Sequence, residues 1–215
     1  MKRKSLFITA ASVLVAVFVI GAFVYQGGKA DATKALERQE FLVRSNAPTK
    51  GSADAKVHIV EFLDPACGTC REFYPLVKKL MDDNRGKIKI SVRYAPFHQN
   101  SDYVVKVLEA ARKQNKYWET LEALFASQEG WAPNHTPQPA LLWTYLGGLG
   151  LDLDRVREDA MAPDIAQHVA QDIADAKALN VTATPEFFVN GKPMPSFGYE
   201  QLTTLVNDAL AAAYP

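Results

Sequence analysis

Only two cysteines occur in the 215 residues of this chain, and two residues separate them. Cys67 and Cys70 follow an apolar, β-branched run at Val57–Leu63 and open an amphipathic pattern, so they are predicted at a turn from a buried strand into a helix. At such a position the backbone N–H groups and the helix dipole stabilise an anion. The first sulfur is therefore expected to ionise easily.

This arrangement predicts thiol chemistry that needs no cofactor and no metal. Cysteines in such settings have pKa values of about 3.5 to 7.5, against about 8.5 for a free thiol. We expect Cys67 to be the nucleophile, Cys70 to resolve the mixed disulfide, and the two sulfurs to form a redox-active disulfide. Two alternatives are a zinc site, for which no second ligand pair has the usual spacing, and a structural disulfide, whose short loop would stabilise little.

The N-terminus determines the expected compartment. Basic residues at positions 2–4 precede an uncharged, mostly apolar run at 6–25, which as a helix would be about 30 Å long and could cross a bilayer. The basic flank favours a single-pass anchor in the cell inner membrane, with the body in the periplasm or extracytoplasmic space. A small-x-small pattern ending at Ala32 leaves secretion after cleavage as the alternative. In either location a cysteine pair can be kept oxidised.

The charge distribution excludes one class of partner. Four of the 24 basic residues lie in the first 30 positions, which contain no acidic residue, so the rest of the chain carries 20 basic and 24 acidic residues, a net charge of −4. A body of this charge has no electrostatic attraction to nucleic acid. We therefore expect no nucleic-acid partner.

The chain divides into an anchor or signal segment at 1–28, a tether at 29–50 and one domain at 51–215. Within the tether, an edge strand is expected at Phe41–Arg44. The periodicity of the domain predicts the order β-α-β, then a helical insertion at about 100–180, then β-β-α. This is an α/β fold with a parallel strand–helix–strand unit at its start.

This order resembles the DsbA-like thiol:disulfide oxidoreductases of the thioredoxin superfamily. The resemblance covers about 51–215 and depends on Cys67-Gly68-Thr69-Cys70 at the first helix and on Thr184-Pro185 before the final hairpin. It implies a thioredoxin fold and an enzyme in which Pro185 is a cis-proline beside the sulfurs. Thr184 would offer its backbone to the substrate chain. It also implies a membrane-tethered bacterial protein with cysteine-containing exported polypeptides as substrates and a membrane redox partner that resets the pair.

Two further residues are candidates for the site. Glu61 lies six residues before Cys67, where the resemblance implies a buried acid, and it is a candidate proton acceptor for Cys70. Its alternative is a strand-end carboxylate that reaches solvent. His98 follows the second strand and should lie at the same edge of the sheet as the cysteines. It would either supply positive charge to them or face solvent.

The direction of the reaction is left open by the sequence. DsbA-like oxidases often carry proline and histidine between the cysteines, whereas Gly68-Thr69 provides no charge, so the resemblance implies an intermediate potential. The tether is too short for the added N-terminal domain through which isomerases of this group dimerise, which favours a monomer acting as an oxidase or a reductase. Alternatives are a Cu(I) metallochaperone using the same two thiols and a non-enzymatic extracytoplasmic holdase.

Overall fold

The structure is a computed structural model that describes residues 39–215. Its strands are β1 (Thr49–Gly51), β2 (Val57–Leu63), β3 (Ile88–Tyr94), β4 (Glu186–Val189) and β5 (Lys192–Pro193). Its helices are α1 (Gly68–Asp83), α2 (Ser101–Lys113), α3 (Tyr117–Ala126), α4 (Gln128–Trp131), α5 (Pro139–Leu142), α6 (Leu153–Asp159), α7 (Pro163–Ala178) and α8 (Tyr199–Ala213), with 3₁₀ turns at Pro133–His135 and Trp143–Tyr145. The predicted order, β-α-β, helical insertion, β-β-α, is confirmed.

The expected membrane span, residues 6–25, lies outside the described residues. Between residue 39 and the C-terminus, no helix combines the length and the apolar character needed to cross a bilayer.

Strand β2 lies at the centre of the sheet. Within residues 39–215 the strands form a five-stranded sheet in the order β1-β3-β2-β4-β5. Strands β2 and β3 run parallel, with Leu63 opposite Tyr94 at their ends, while β4 pairs antiparallel with β2 and places Glu186 opposite Phe62. The loops that follow β2 and β3 therefore leave the same edge of the sheet, and the start of β4 arrives at that edge. The predicted active-site edge is assembled from these three chain segments.

Alternation along β2 supplies two faces of the core. Val57 and Ile59 are fully buried against α1 and α8, where Phe73 and Leu202 belong to the same cluster. Val60 and Phe62, which alternate with those residues along β2, lie on the other face of the sheet. There they pack against the segment before β1 and against the end of α7 and the residues after it, through Leu42, Ala176 and Val181. Helices α2 to α7 enclose a third cluster, which includes both cysteines.

The segment before β1 differs from the sequence prediction. The edge strand expected at Phe41–Arg44 is wrong, because residues 39–42 are helical and the edge strand is β1, which pairs antiparallel with β3. Leu42 is buried, and the carbonyls of Phe41 and Leu42 accept hydrogen bonds from Arg93 at 2.6 and 2.9 Å. The end of the predicted tether is thus bound to the body through a buried guanidinium.

Arg93 lies on the polar side of the alternating pattern of β3, yet its side chain is fully buried because α7 covers that face. Its Nε donates to Asp172 at 2.9 Å and its Nη2 donates to Asp175 at 2.6 Å. Two carboxylates and two backbone carbonyls thus satisfy the guanidinium, which a buried charge requires. This network fixes α7 against the strand that ends at the active-site edge.

Candidate active site

The two cysteines occupy the first turn of α1. Cys67 is the N-cap residue, with φ −74° and ψ 120°, and Cys70 lies one turn further on. Both are free thiols and both are buried, but their exposure differs: Cys67 keeps 7% of its surface accessible and Cys70 keeps none. An incoming sulfur can therefore reach only Cys67 without rearrangement of the helix.

The surroundings separate the two thiols in acidity. The Cys70 thiol donates a hydrogen bond to the Cys67 sulfur, and this interaction is the main reason why the pKa of Cys67 falls to about 5. Burial opposes that shift, while the Thr184 side chain and the backbone N–H groups of Thr69 and Cys70 support it. Burial also raises the pKa of Cys70 well above its ordinary value, as does its bond to Cys67. At neutral pH the pair is one thiolate and one thiol.

The loop before β4 lies directly against the reactive sulfur. The Thr184–Pro185 peptide bond is cis, as the family resemblance implies for Pro185, and the Cys67 thiol donates to the Thr184 carbonyl at 3.3 Å. A thiolate has no proton to donate, so ionisation of Cys67 frees that carbonyl as a hydrogen-bond acceptor. The pairing of β2 with β4 brings together these residues, which are 117 positions apart in sequence.

Glu61 is buried beneath the cysteines, and the alternative of a solvent-reaching carboxylate is wrong for this structure. Only 1% of the residue is exposed, and its Oε1 atom has no hydrogen-bond partner. Burial, and next the charge of Cys67, raise the pKa of Glu61 to about 8. Its carboxyl group is therefore protonated at neutral pH, and its own charge, when present, raises the pKa of Cys70.

A cleft borders Glu61. It has a volume of about 510 Å³ and is lined by Glu61, Tyr74, Lys50 and Trp118 among others. The buried carboxyl group thus borders a space large enough for water.

Asp64 is a site residue that sequence reasoning missed. It is fully buried and accepts hydrogen bonds from the Ala66 N–H at 2.8 Å, from the His98 N–H at 2.9 Å and from the Ser101 hydroxyl. The carboxylate joins the loop after β2 to the loop after β3 and to the start of α2. An aspartate before proline at a strand end is typical of such a turn, and that signal could have identified it.

His98 lies at the active-site edge, as expected, and is half-buried. Its Nδ1 atom is 2.8 Å from the Asp64 carboxylate, and its ring stacks on His135, with 5.1 Å between centroids. The helical insertion contributes a second contact through Gln128, whose side-chain amide donates to the carbonyls of Pro65 and Cys67 at 2.9 and 3.0 Å. Sequence reasoning does not identify His135 or Gln128 as residues of the thiol site, because nothing near them in sequence indicates thiol chemistry.

No group of three or more His, Cys, Asp or Glu side chains is arranged to hold a metal ion in the part of the chain from residue 39 onward.

Comparison with known proteins shows that the chain is similar to thioredoxin-like proteins. A family model described as Thioredoxin matches residues 44–208. The crystal structure of a thioredoxin-like oxidoreductase from Silicibacter pomeroyi is 29% identical, with a TM-score of 0.68 over 78% of this chain and 94% of that one. Oxidised BdbD from Bacillus subtilis is 26% identical, with a TM-score of 0.67 over 77% of this chain and 93% of that one.

Two curated relatives differ in how much of their length is matched. Na(+)/H(+) antiporter NhaA 3 of Salinispora tropica is 33% identical over 168 residues, which are 76% of this chain and 25% of the antiporter. The chain thus spans about a quarter of the length of the antiporter relatives that it matches. The probable disulfide bond formation protein D of Bacillus cereus is 27% identical over 159 residues, which are 71% of this chain and 74% of that protein.

The Thr184 hydroxyl provides a first prediction. Replacement Thr184→Val keeps the shape of the side chain but removes a hydrogen bond that lowers the pKa of Cys67. We expect that pKa to rise by about 1, which corresponds to a charge-assisted hydrogen bond of about 1.5 kcal/mol. Ultraviolet absorbance of the thiolate, followed against pH in the reduced protein, measures it. Thr182→Val, at an exposed neighbouring position, is the matched control, and an unchanged titration in Thr184→Val would contradict the assignment.

The raised pKa of Glu61 provides a second prediction, in the pH dependence of stability. Between its ordinary value of 4.5 and its folded value of about 8, the unfolded state binds fewer protons than the folded state, so Glu61 lowers stability as pH rises. In this window we expect the free energy of unfolding of reduced Glu61→Gln to rise, relative to that of the wild type, by about 1.4 kcal/mol per pH unit. Urea denaturation measures the difference.

The matched control for Glu61 is Glu119→Gln, because Glu119 is exposed on α3. The difference in free energy of unfolding between Glu119→Gln and the wild type should not vary with pH. A Glu61→Gln protein whose stability difference is equally independent of pH would show that the carboxyl group ionises normally.

Proposed function

Because the chain belongs to the thioredoxin family, whose model matches residues 44–208, we propose that it is a thiol:disulfide oxidoreductase acting on cysteine pairs of exported polypeptides. The observation that carries the proposal is the asymmetry of the cysteine pair. Cys67 is a thiolate with a pKa of about 5 that keeps 7% of its surface accessible, and Cys70 is a fully buried thiol that donates to it. Disulfide exchange needs this division between an attacking sulfur and a resolving one.

Exchange in the oxidising direction uses the two cysteines and Glu61. A substrate thiolate attacks the Cys67 sulfur of the Cys67–Cys70 disulfide, that bond breaks, and Cys70 leaves as a thiolate that takes a proton from Glu61. The second substrate thiolate attacks the substrate sulfur of the mixed disulfide and expels Cys67 as a thiolate. The substrate loses two electrons to the cysteine pair and the protons of its two thiols. One of these protons restores Glu61, and the other goes to solvent.

The acidity of Cys67 supports this direction. Each pH unit by which a thiol pKa lies below the solution pH stabilises the reduced pair by about 1.4 kcal/mol, or about 30 mV. A pKa of about 5 thus raises the potential at neutral pH by about 60 mV over a pair whose thiols stay protonated. The pKa of Cys67 thus lies between that of the reactive cysteine of thioredoxin, about 7, and that of DsbA, about 3.5. The similarity to the probable disulfide bond formation protein D of Bacillus cereus also supports the oxidising direction.

The loop before β4 is suited to bind the substrate chain. The Thr184 carbonyl is 3.3 Å from the Cys67 sulfur and is released as an acceptor when that sulfur ionises or forms a disulfide. An extended substrate segment can pair with it through a backbone N–H, which aligns the substrate sulfur beside Cys67. Binding through the backbone tolerates many substrate sequences.

The cellular setting of the proposal follows from the N-terminal sequence. Residues 6–25 would anchor a monomer in the inner membrane, with its catalytic body in the periplasm or extracytoplasmic space. A membrane redox partner would then reoxidise the pair after each turnover. Extracytoplasmic location provides the oxidising conditions in which the disulfide form persists.

The equilibrium reduction potential of the full chain tests this function. In glutathione buffers we expect an internal Cys67–Cys70 disulfide with a potential between about −120 mV, typical of a strong oxidant, and about −270 mV, typical of a reductase. Cys70→Ala should trap a mixed disulfide with a substrate protein that contains a disulfide, because the Cys67 thiolate attacks that disulfide, expels one substrate sulfur as a thiolate and has no Cys70 thiol beside it to resolve the product. Cys67→Ala should not trap one.

Three outcomes would contradict the proposal. Failure to form the internal disulfide at any glutathione ratio would exclude redox cycling. Stoichiometric Cu(I) binding that survives a competing thiol would favour the metallochaperone. Full retention of function by Cys67→Ala would favour a holdase.

A further inference from the structure

His135 approaches the cysteine motif from the helical insertion. It lies in the 3₁₀ turn Pro133–His135 with a left-handed backbone, φ 60°, and its ring contacts the residues on either side of Cys67. The Nδ1 atom is 3.2 Å from the Gly68 amide nitrogen and 3.1 Å from the Ala66 carbonyl oxygen. A histidine 67 positions away from Gly68 thus contacts both chain neighbours of the reactive cysteine.

One nitrogen cannot form both hydrogen bonds at once. When His135 is neutral and its proton is on Nε2, Nδ1 has a lone pair and accepts the Gly68 N–H. When the ring is an imidazolium, Nδ1 carries a proton and donates to the Ala66 carbonyl. The second state places a positive charge beside Cys67 and releases an N–H group at the N-terminus of α1. Both changes favour a thiolate at this position.

Gly68 provides the space that this contact needs. A Cβ atom at position 68 would lie 2.9 Å from Cε1 of His135, closer than two carbon atoms can approach without displacement. A left-handed backbone does not account for a glycine at this position, because Gly68 is not among the positive-φ glycines of the described residues. The identity of residue 68 is therefore coupled to the ring of His135.

A second imidazole and a buried carboxylate complete the cluster. The His98 ring stacks on His135 with an interplanar angle of 30°, and His98 Nδ1 is 2.8 Å from the fully buried Asp64 carboxylate. The Asp64 carboxylate thus holds in place the ring on which His135 stacks. Arg71 on α1 and Glu129 on α4 form an ion pair with each other at 2.8 Å.

We propose that His135 is a positioning residue for Cys67, which stabilises the thiolate through its imidazolium charge and its exchange of partners between Gly68 and Ala66. This inference rests on the proposed thiol:disulfide exchange function and assigns to the insertion the positive charge that Gly68-Thr69 lacks. Stabilising the thiolate stabilises the reduced pair, so His135 makes the disulfide a stronger oxidant.

The test compares His135→Asn with His135→Ala in the full-length chain. Asparagine tolerates the left-handed backbone, and its Oδ1 atom branches where Nδ1 of histidine does, so it can still accept the Gly68 N–H but carries no charge. In both variants we expect the pKa of Cys67 to rise by about 1 and the reduction potential to fall. The exposed variant Thr136→Ala should match the wild type in both measurements.

A purely structural role for His135 predicts a different result. His135→Asn would then titrate and cycle like the wild type, and only His135→Ala would change. That outcome overturns the inference while the proposed function stands. A wild-type protein that never forms the Cys67–Cys70 disulfide would instead overturn the proposed function.

The close contact between Gly68 and the His135 ring allows a second, independent test with a double mutant. In the wild-type background, Gly68→Ala should displace the ring and raise the pKa of Cys67 in the same way as His135→Ala. In the His135→Ala background the same Gly68→Ala change should have no further effect, because the Cβ no longer meets a ring. Additive effects of the two replacements would contradict the inference.

Discussion

The hydrogen bond from the Cys70 thiol to the Cys67 sulfur is the interaction on which the rest of the site depends. It can form only because α1 begins at Gly68, so that two residues of helix place the second sulfur one turn inside and out of contact with solvent. The strand before it is equally necessary. Because β2 is the central strand and is buried on both faces, the cysteine turn begins at the end of a buried strand. Glu61, within that strand, is buried where its carboxyl group retains a proton at neutral pH.

Three chain segments outside α1 then complete the surroundings of Cys67. The loop before β4 supplies the Thr184 carbonyl and the cis proline. The turn after β2 is closed by Asp64, which also binds the turn after β3. The insertion satisfies backbone groups of the cysteine loop through Gln128 and His135. The insertion is thus part of the reactive centre, and its role extends beyond covering the sheet.

The sequence alone predicts the part of the site whose residues lie near one another in the chain. The spacing of Cys67 and Cys70, with the strand and helix that flank them, indicates the reactive pair, whereas the roles of Thr184 and Pro185 follow only from the resemblance to DsbA-like oxidoreductases. Glu61 was recognised because an acid in an apolar strand is unusual. Contacts across long sequence separations could not be predicted in this way: His135 is 69 positions from the Ala66 carbonyl, and only the packing of the insertion brings them together. The burial of Arg93 was hidden for the same reason, since an alternating strand pattern does not reveal that a helix 79 positions later covers its polar face.

The central claim is that one sulfur of the pair is a thiolate at neutral pH while the other is a protected thiol. Alkylation of the reduced protein as a function of pH, with each cysteine quantified separately by mass spectrometry, tests this directly. The account predicts that Cys67 alkylates with a pH midpoint of about 5 and that Cys70, which is fully buried, stays unmodified throughout the neutral range. Equal rates at the two cysteines, or faster modification of Cys70, would contradict it.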